Sequence, residues 1–279
     1  MGQPVREKDA GENKKMSTFL HNAAAFLSAL DVEHYIDLPF VHFPQRQVSF
    51  HLNPLAPCNE PLYFQELSVN YEQQGIRLIQ LWEDVWNRQQ KIVEARIHTL
   101  LGNAVRIFAR HTTAARINKT ALDGFMMQNH LHGSPQAKYK YGLCRNNVLV
   151  AAASFSACRP MLRHGKPYDS YELIRFASLA SHTVVGGLSK LLAQFVHEVH
   201  PGDIMSYADR DWSTGWSYEQ LGFTFAGNTP PQAFLIHPDE QIRYYPHRLP
   251  NGTTAETLRR KGYFTIYNAG NKKYVKLMC

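Results

Sequence analysis

The segment Val184-Val185-Gly186-Gly187-Leu188-Ser189-Lys190-Leu191-Leu192 constrains the fold of this chain more than any other. It places two glycines where a β-rich run ends and a helical pattern, Ser189–His200, begins. Glycine lacks a Cβ, so backbone N–H groups there can approach an anion closely. The dipole of the helix that follows favours an anion such as a pyrophosphate. The same residues would also make an ordinary glycine-rich strand-to-helix turn, so the meaning of the junction depends on its surroundings.

Those surroundings read as alternating helices and strands. Thr120–His130 is helical, and Lys140–Cys144 and Val148–Phe155 form a hairpin around Arg145-Asn146-Asn147. Ser170–Ser178 and Ile204–Ala208 read as strands, Ser213–Leu221 as a helix and Phe223–Gly227 as a strand. Upstream, Thr18–Leu30 is helical, and Val32–Leu52 reads as two strands joined by a turn. Pro54, Pro57 and Pro61 mark a loop, followed by a helix over Leu62–Gln74 and a strand over Ile76–Trp82. Lys91–Leu101 is an amphipathic helix, and a linker strand runs around Val105–Ala109. The chain of 279 residues is long for one domain, which predicts a leader over 1–17, a unit over 18–110 and a second over 111–279.

The second unit resembles the GNAT family of acyl-CoA N-acyltransferases. Its order of helix, hairpin, strand, helix, strand, helix, strand is that of such an enzyme. The glycine segment is similar to the family's GxGSKLL pyrophosphate loop, although the upstream Arg/Gln is not cleanly present and Leu188 stands where a second glycine is usual. By that likeness Val185, Gly186, Gly187, Leu188, Ser189 and Lys190 hold the cofactor pyrophosphate. Tyr207-Ala208-Asp209 and WSTGWSYEQLGF (Trp212–Phe223) resemble the closing element of the family, in which a tyrosine faces the thioester. Tyr218 matches that position, and a tyrosine there protonates the leaving thiolate. The attacking amine must be neutral, and His130, His132 or Glu172 could act as its base.

The fragments NHLHG, YELIRF, VVGGLSKLL, SYADRDWSTGWSYEQLGF and GYFTIYNAGNKKYV together resemble a group of bacteriophage proteins and the GNAT-like phage Mom DNA-modification enzymes. That resemblance implies functional roles for His130, Arg175, Asp209 and Tyr218. An imidazole and a carboxylate, His130 and Asp209, suit iron, but two ligands make a weak set and a required metal is not expected.

The first unit, GIRLIQLWEDVWNRQQKIVEARIHTLLG in particular, resembles homing endonucleases of the very-short-patch-repair type, in phage proteins described as Hef-like. Such nucleases need clustered carboxylates for Mg²⁺. Here Tyr35 stands at the first-strand Asp position, Val48-Ser49-Phe50-His51 carries no Glu, and Asp37, out of phase by two residues, could be a displaced ligand. Glu83 and Asp84 remain. The fold expected is therefore α/β (α+β): a restriction-endonuclease-like remnant retained for DNA binding, followed by a GNAT-like mixed-sheet unit.

Composition fits a DNA partner. The net charge is +7, and Arg88, Lys91, Arg96, Arg106, Arg110 and Arg116 fall near the junction of the two units, where phosphate contacts would be sequence-independent. A solvated basic face explains the same charges equally well. No 18-residue apolar stretch predicts a membrane span, and the polar start Met1–Lys15 is not a signal peptide. Cys58, Cys144, Cys158 and Cys279 form no CxxC pair, which points to reduced thiols and the cytoplasm of a host cell.

Three functions follow as expectations. The first is a phage DNA-modifying acyltransferase that moves an acyl group, most simply acetyl, from acetyl-CoA or another acyl-CoA to an amine of a nucleobase in double-stranded DNA. The second is a Hef-like homing endonuclease using Glu83 and Asp84. The third is a DNA-binding protein without catalysis.

Overall fold

The computed structural model describes residues 18–249 and 251–278. The leader read over 1–17 lies outside them, as does Cys279. The chain is an α/β protein with a mixed sheet.

The first unit runs α1 (Thr18–Ser28), β1 (Tyr35–Asp37), β2 (Phe40–Phe43), β3 (Val48–Asn53), α2 (Tyr63–Gln73), β4 (Arg77–Trp82) and α3 (Glu83–Leu100). Its sheet has the order β1-β2-β3-β4, with β3 and β4 parallel. Where two strands were expected over Val32–Leu52 there are three. HYIDLPF folds back on itself, so that Tyr35 pairs with His42, and the cis Leu38-Pro39 peptide lies in that turn. Helix α3 starts at Glu83 rather than Lys91, because β4 passes directly into it at Trp82. Leu27, Phe43, Phe50, Ile79, Leu81 and Ile97 form the core between α1, α3 and the sheet.

The second part continues with β5 (Val105–Phe108), β6 (Thr113–Arg116), α4 (Lys119–Asn129), β7 (Tyr139–Arg145), β8 (Val148–Phe155), β9 (Arg159–Arg163), β10 (Lys166–Ser178), β11 (His182–Val185), α5 (Gly187–Val199), β12 (Asp203–Asp209), α6 (Trp216–Glu219), β13 (Thr224–Asn228), β14 (Ala233–Ile236), α7 (Ala255–Arg260), β15 (Phe264–Tyr267) and β16 (Asn271–Leu277). The main sheet has the order β13-β16-β12-β10-β8-β7-β6, with β9 paired to β10. The succession α4, β7–β8, β10, α5, β12, α6, β13 is the order that the GNAT resemblance implies. Asn146 and Asn147 both have positive φ, the conformation required by a tight hairpin turn of matching twist.

Helix α6 is shorter than the Ser213–Leu221 expected, covering four residues only. Gly215 precedes it in a left-handed conformation, and a Cβ there would lie 2.1 Å from the Tyr274 hydroxyl, so the chain cannot turn into the helix earlier with any larger residue. Strand β16 escaped prediction because NKKYVKL reads as polar. Two of its three lysines are spent on partners: Lys272 reaches Glu72 at 3.0 Å, and Lys276 reaches the Leu221 carbonyl.

Residues 229–269 leave the main sheet and pack on the first unit. Phe234, Ile236, Ile266 and Ala269 share a core with Phe64 and Trp82. Strand β5 crosses in the other sense, pairing in parallel with β11.

His51 tests the packing of the first sheet. It stacks on Phe40 at 4.5 Å, Nδ1 donates to Gln80 Oε1 at 2.8 Å, and burial pushes its pKa down to about 4. The folded pKa lies below the usual value of 6.5, so the contribution is fully present above pH 6.5 and is lost as pH falls through 4. Urea titrations should show a loss on the order of 3 kcal/mol across that window, absent in the His51→Gln variant. Parallel pH curves for the two proteins would contradict this.

Candidate active site

The main sheet opens at its centre. Strands β10 and β12 pair in parallel only where Ser170–Glu172 faces Asp203–Met205. Beyond that point β10 stays with β8 as far as Ser178, and β12 stays with β16 as far as Asp209. The strands therefore diverge toward their C-terminal ends and leave a wedge whose inner edges carry backbone groups not used by the other strand.

Two hydroxyls sit in the wedge. Ser206 Oγ donates to the Leu173 carbonyl at 2.9 Å, and the Ser206 and Tyr218 hydroxyls are hydrogen-bonded at 3.0 Å. Tyr218 stacks on Tyr274 at 5.4 Å and meets Phe223 edge-on at 5.5 Å. Burial raises the pKa of Tyr218, with nearby Glu172 adding to the effect, so the phenol stays protonated at neutral pH.

A β-bulge brings Glu172 and Arg175 together. Residues three apart on a regular strand point to opposite faces. The register against β8 shifts between Leu173 and Arg175, which inserts one residue and returns both side chains to one face. Burial raises the Glu172 pKa, opposed by Arg159 and Arg175, and burial lowers that of Arg175.

The glycine junction stands at the open end of the wedge, tied to the end of β10 by the Val184 N–H, which donates to Ser178 Oγ at 3.4 Å. Gly186, with φ of 74°, caps α5, and among the described residues no side chain caps the first N–H groups of the helix. Gly186, Val185 and Ser189 are exposed, while Gly187 is buried against Val184 and Leu143. Leu188 turns into the core. Lys190 does not face the junction: Nζ donates to the carbonyls of Ala109 (3.0 Å) and Thr112, lashing the linker to α5. The groups the junction leaves open to an anion are backbone N–H groups at the positive end of the helix dipole, not the lysine.

The histidine segment after α4 meets the end of β12, but with the other histidine than expected. Leu131 sinks into the first unit's core, and the backbone at His130 is extended, so His130 and His132 both lie on the side away from that core. His132 Nε2 reaches Asp209 Oδ2 at 3.1 Å. His130 is one step further in, its Nδ1 accepting the His132 N–H at 3.1 Å. Burial above all, then the charges of His132, Arg96 and Arg175, hold the His130 pKa well below the usual range, so the ring stays neutral. Asp209 Oδ1 accepts the Asp211 N–H at 3.0 Å.

The five residues singled out as catalytic from sequence are linked in a chain: the charge of Glu172 acts on Tyr218 and on Arg175, the charge of Arg175 acts on His130, and His130 accepts a hydrogen bond from His132, which pairs with Asp209. Arg96, expected from the sequence only as one of several basic residues near the junction, also belongs to this neighbourhood. It comes from α3 in the first unit and lies over the Trp212 ring at 5.0 Å, its charge acting on Asp209 and His130. An arginine beside the buried Ala95 and Ile97 was the available signal. Arg77 is a second such residue, donating to the Trp212 carbonyl.

Glu83 and Asp84 are engaged elsewhere. Glu83 Oε2 accepts the Leu55 N–H at 2.8 Å, and Asp84 takes both arms of Arg243 at 2.7 and 2.8 Å. Among the described residues no group of three or more His, Cys, Asp or Glu side chains is placed to hold a metal ion. No helix among them is long and apolar enough to cross a membrane.

No family model and no curated protein matches the chain. Solved structures do. A histone acetyltransferase HPA2-related acetyltransferase from Corynebacterium glutamicum is 12% identical, over 61% of this chain and 97% of that one, with a TM-score of 0.38. A Bacillus subtilis acetyltransferase in complex with CoA is 10% identical, over 60% and 99%, with a TM-score of 0.38. The ribosomal-protein-S18-alanine N-acetyltransferase from Escherichia coli is 13% identical, over 60% and 96%, with a TM-score of 0.37.

The Asp84–Arg243 pair offers a test of whether Asp84 is held in a structural role. Side-chain exposure is 5% for Asp84 and 19% for Arg243, whose guanidinium also lies over Trp82 and Phe234 at 5.2 Å. Asp84→Ala leaves that cation buried and unpaired, and should destabilise the fold by about 3–5 kcal/mol in urea titrations. A loss below about 1 kcal/mol would show Asp84 to be free for another role.

Proposed function

We propose that the protein transfers an acyl group, in the simplest case acetyl, from an acyl-CoA to an amine of a nucleobase in DNA. The observation that carries this reading is the wedge between β10 and β12, with a buried tyrosine hydroxyl inside it and an uncapped helix N-terminus at its open end. The exposed junction of Val185, Gly186 and Ser189 suits a pyrophosphate, held by the N–H groups of α5. The diverging strands offer backbone donors and acceptors to an extended amide-bearing arm, as a sheet edge offers them to another strand.

The side chains fit the two proton transfers that acyl transfer needs. The amine nitrogen forms a bond to the thioester carbonyl carbon, the carbon–sulfur bond breaks, and the departing thiolate takes a proton. Tyr218, kept protonated by burial, is the donor. The amine sheds its own proton to a base, and His130, held neutral, is the acceptor with the His132–Asp209 pair beside it. Glu172, with its pKa raised, is the alternative acceptor. A DNA acceptor is supported by the net charge of +7 and by the arginines the first unit brings to the cluster, Arg77 and Arg96.

Tyr218→Phe keeps the ring stack and removes only the hydroxyl. It should lower turnover by about 100-fold or more while acyl-CoA affinity stays within about twofold. Unchanged turnover removes the tyrosine from the mechanism. Mass spectrometry of nucleosides from DNA incubated with the protein and acetyl-CoA should reveal a base bearing one added acetyl group. Acetylation of an added peptide amine in place of DNA would refute the DNA acceptor.

A further inference from the structure

Residues 159–168 (RPMLRHGKPY) carry Arg159, Arg163 and Lys166 with a histidine between them, and no acidic residue stands before Asp169. They form a two-stranded ribbon, in which β9 pairs with β10 alone among the described residues. The turn is His164-Gly165, with φ of 51° and 76°, positive at both central residues as a tight hairpin turn of matching twist requires. The ribbon is braced further in. The Arg163 guanidinium donates to Asp203 Oδ2 at 2.8 Å and lies over the Tyr168 ring at 4.1 Å.

The two faces of the ribbon are unlike. Residues opposite one another on antiparallel strands share a face, and successive residues alternate. The register sets Arg163 opposite Lys166, Met161 opposite Tyr168 and Arg159 opposite Ser170, so these six lie on one side. Pro160, Leu162 and Pro167 lie on the other. Arg159 and Lys166 are exposed, and neither joins an ion pair among the described residues. Their side is also that of the candidate site. Lys166, Tyr168, Ser170 and Glu172 alternate along β10 without a shift of register, and the charge of Arg159 reaches Glu172. The bulge then keeps Arg175 on the same face. Glu172 is six residues beyond Lys166, about 20 Å of extended strand. That distance spans about six nucleotide steps of a DNA strand.

We propose that the cationic side of the β9–β10 ribbon is a rail for duplex DNA, with Arg159 and Lys166 contacting phosphates a few nucleotides from the base presented at Glu172. Charge complementarity selects this occupant. Of the acidic groups on that side, Asp203 is neutralised by Arg163, and Glu172 stands at the site itself. A membrane surface would call on the opposite face, where Leu162 is 73% exposed between two exposed prolines, and that face turns away from Glu172. The role of the bound DNA as acyl acceptor rests on the acyl-transfer reading. The contact between ribbon and duplex does not.

The test follows the anisotropy of a fluorescently labelled duplex of about 20 base pairs bound to the full chain, without acyl donor, between about 50 and 200 mM salt. The proteins are the wild type, Arg159→Gln, Lys166→Gln, the double variant, Lys166→Arg and Leu162→Ser. The wild type should bind saturably, with an affinity that falls linearly with salt on logarithmic axes. Each Gln substitution should lower that slope by about 1, and the double variant should bind about tenfold or more weakly at the lower salt. Lys166→Arg should keep the wild-type slope, and Leu162→Ser should bind within about twofold of the wild type. No binding by the wild type overturns the rail, as does an unaltered slope in the double variant. Binding to vesicles of phosphatidylserine and phosphatidylcholine that Leu162→Ser abolishes, with DNA binding unaltered in the double variant, makes the ribbon a membrane contact instead. Lys166→Gln, at the exposed turn, decides the matter should Arg159→Gln fail to fold. Nucleosides from the same proteins incubated with the duplex and acetyl-CoA are analysed in parallel. Lowered slopes with no acetylated base in the wild-type reaction leave the rail standing and remove the acyl-transfer reading. An acetylated base with unaltered slopes does the reverse.

Discussion

The turn Asp209-Arg210-Asp211-Trp212 joins the two halves of this protein. The Asp211 carbonyl accepts the Gln80 N–H of β4 at 2.9 Å, and its carboxylate accepts Trp82 Nε1 at 3.1 Å and the Ala269 N–H at 2.8 Å. Arg77 bonds the Trp212 carbonyl, and the Arg210 N–H bonds the Gly270 carbonyl at 3.1 Å. One short segment at the end of β12 thus satisfies the edge of the first sheet, holds the returning chain before β16, and presents Asp209 to His132. Burial and the neighbouring Asp209 push the Asp211 pKa up to about 7, so two carboxylates sit close together at a buried joint. Such a network tolerates the loss of no single member, because each partner left behind is a buried polar group without a bond.

The joint explains why the candidate site draws on both units. Divergence of β10 and β12 opens the main sheet, and the bulge in β10 turns Glu172 and Arg175 to the face that α4 and the first unit cover. The turn after β12 then brings Trp212 under Arg96. The wedge with its tyrosine lies toward α6, and the histidines and arginines lie toward α3 and α4. A donor on one side and an acceptor on the other would meet at the end of β12.

Much of this was legible in the sequence where local chemistry decides structure. The Asn146-Asn147 turn, the glycine pair at Gly186-Gly187 and the apolar runs of β8 and β10 each state their own conformation. What could not be read depends on distant partners. NKKYVKL becomes a strand because β12 and β13 flank it and Glu72 neutralises Lys272. His132 rather than His130 meets Asp209 because Leu131 is drawn into a core whose other residues lie in the first unit, from Phe19 to Leu101, and at Trp212, a consequence of packing and not of spacing. Lys190 looks like a phosphate ligand by position, yet its ammonium is consumed by carbonyls of the linker. Arg96 reads in the sequence only as one of several basic residues near the junction, and its place over Trp212 depends on the second unit.

We propose that the open wedge and the bare end of α5 together make an acyl-CoA site. Isothermal titration of the intact protein with acetyl-CoA at neutral pH addresses it most directly. Saturable binding of one ligand per chain is expected, abolished when Gly186, left-handed at φ of 74°, is replaced by Val. Absence of saturable binding to a folded wild-type protein, or binding that the glycine substitution leaves untouched, would contradict it.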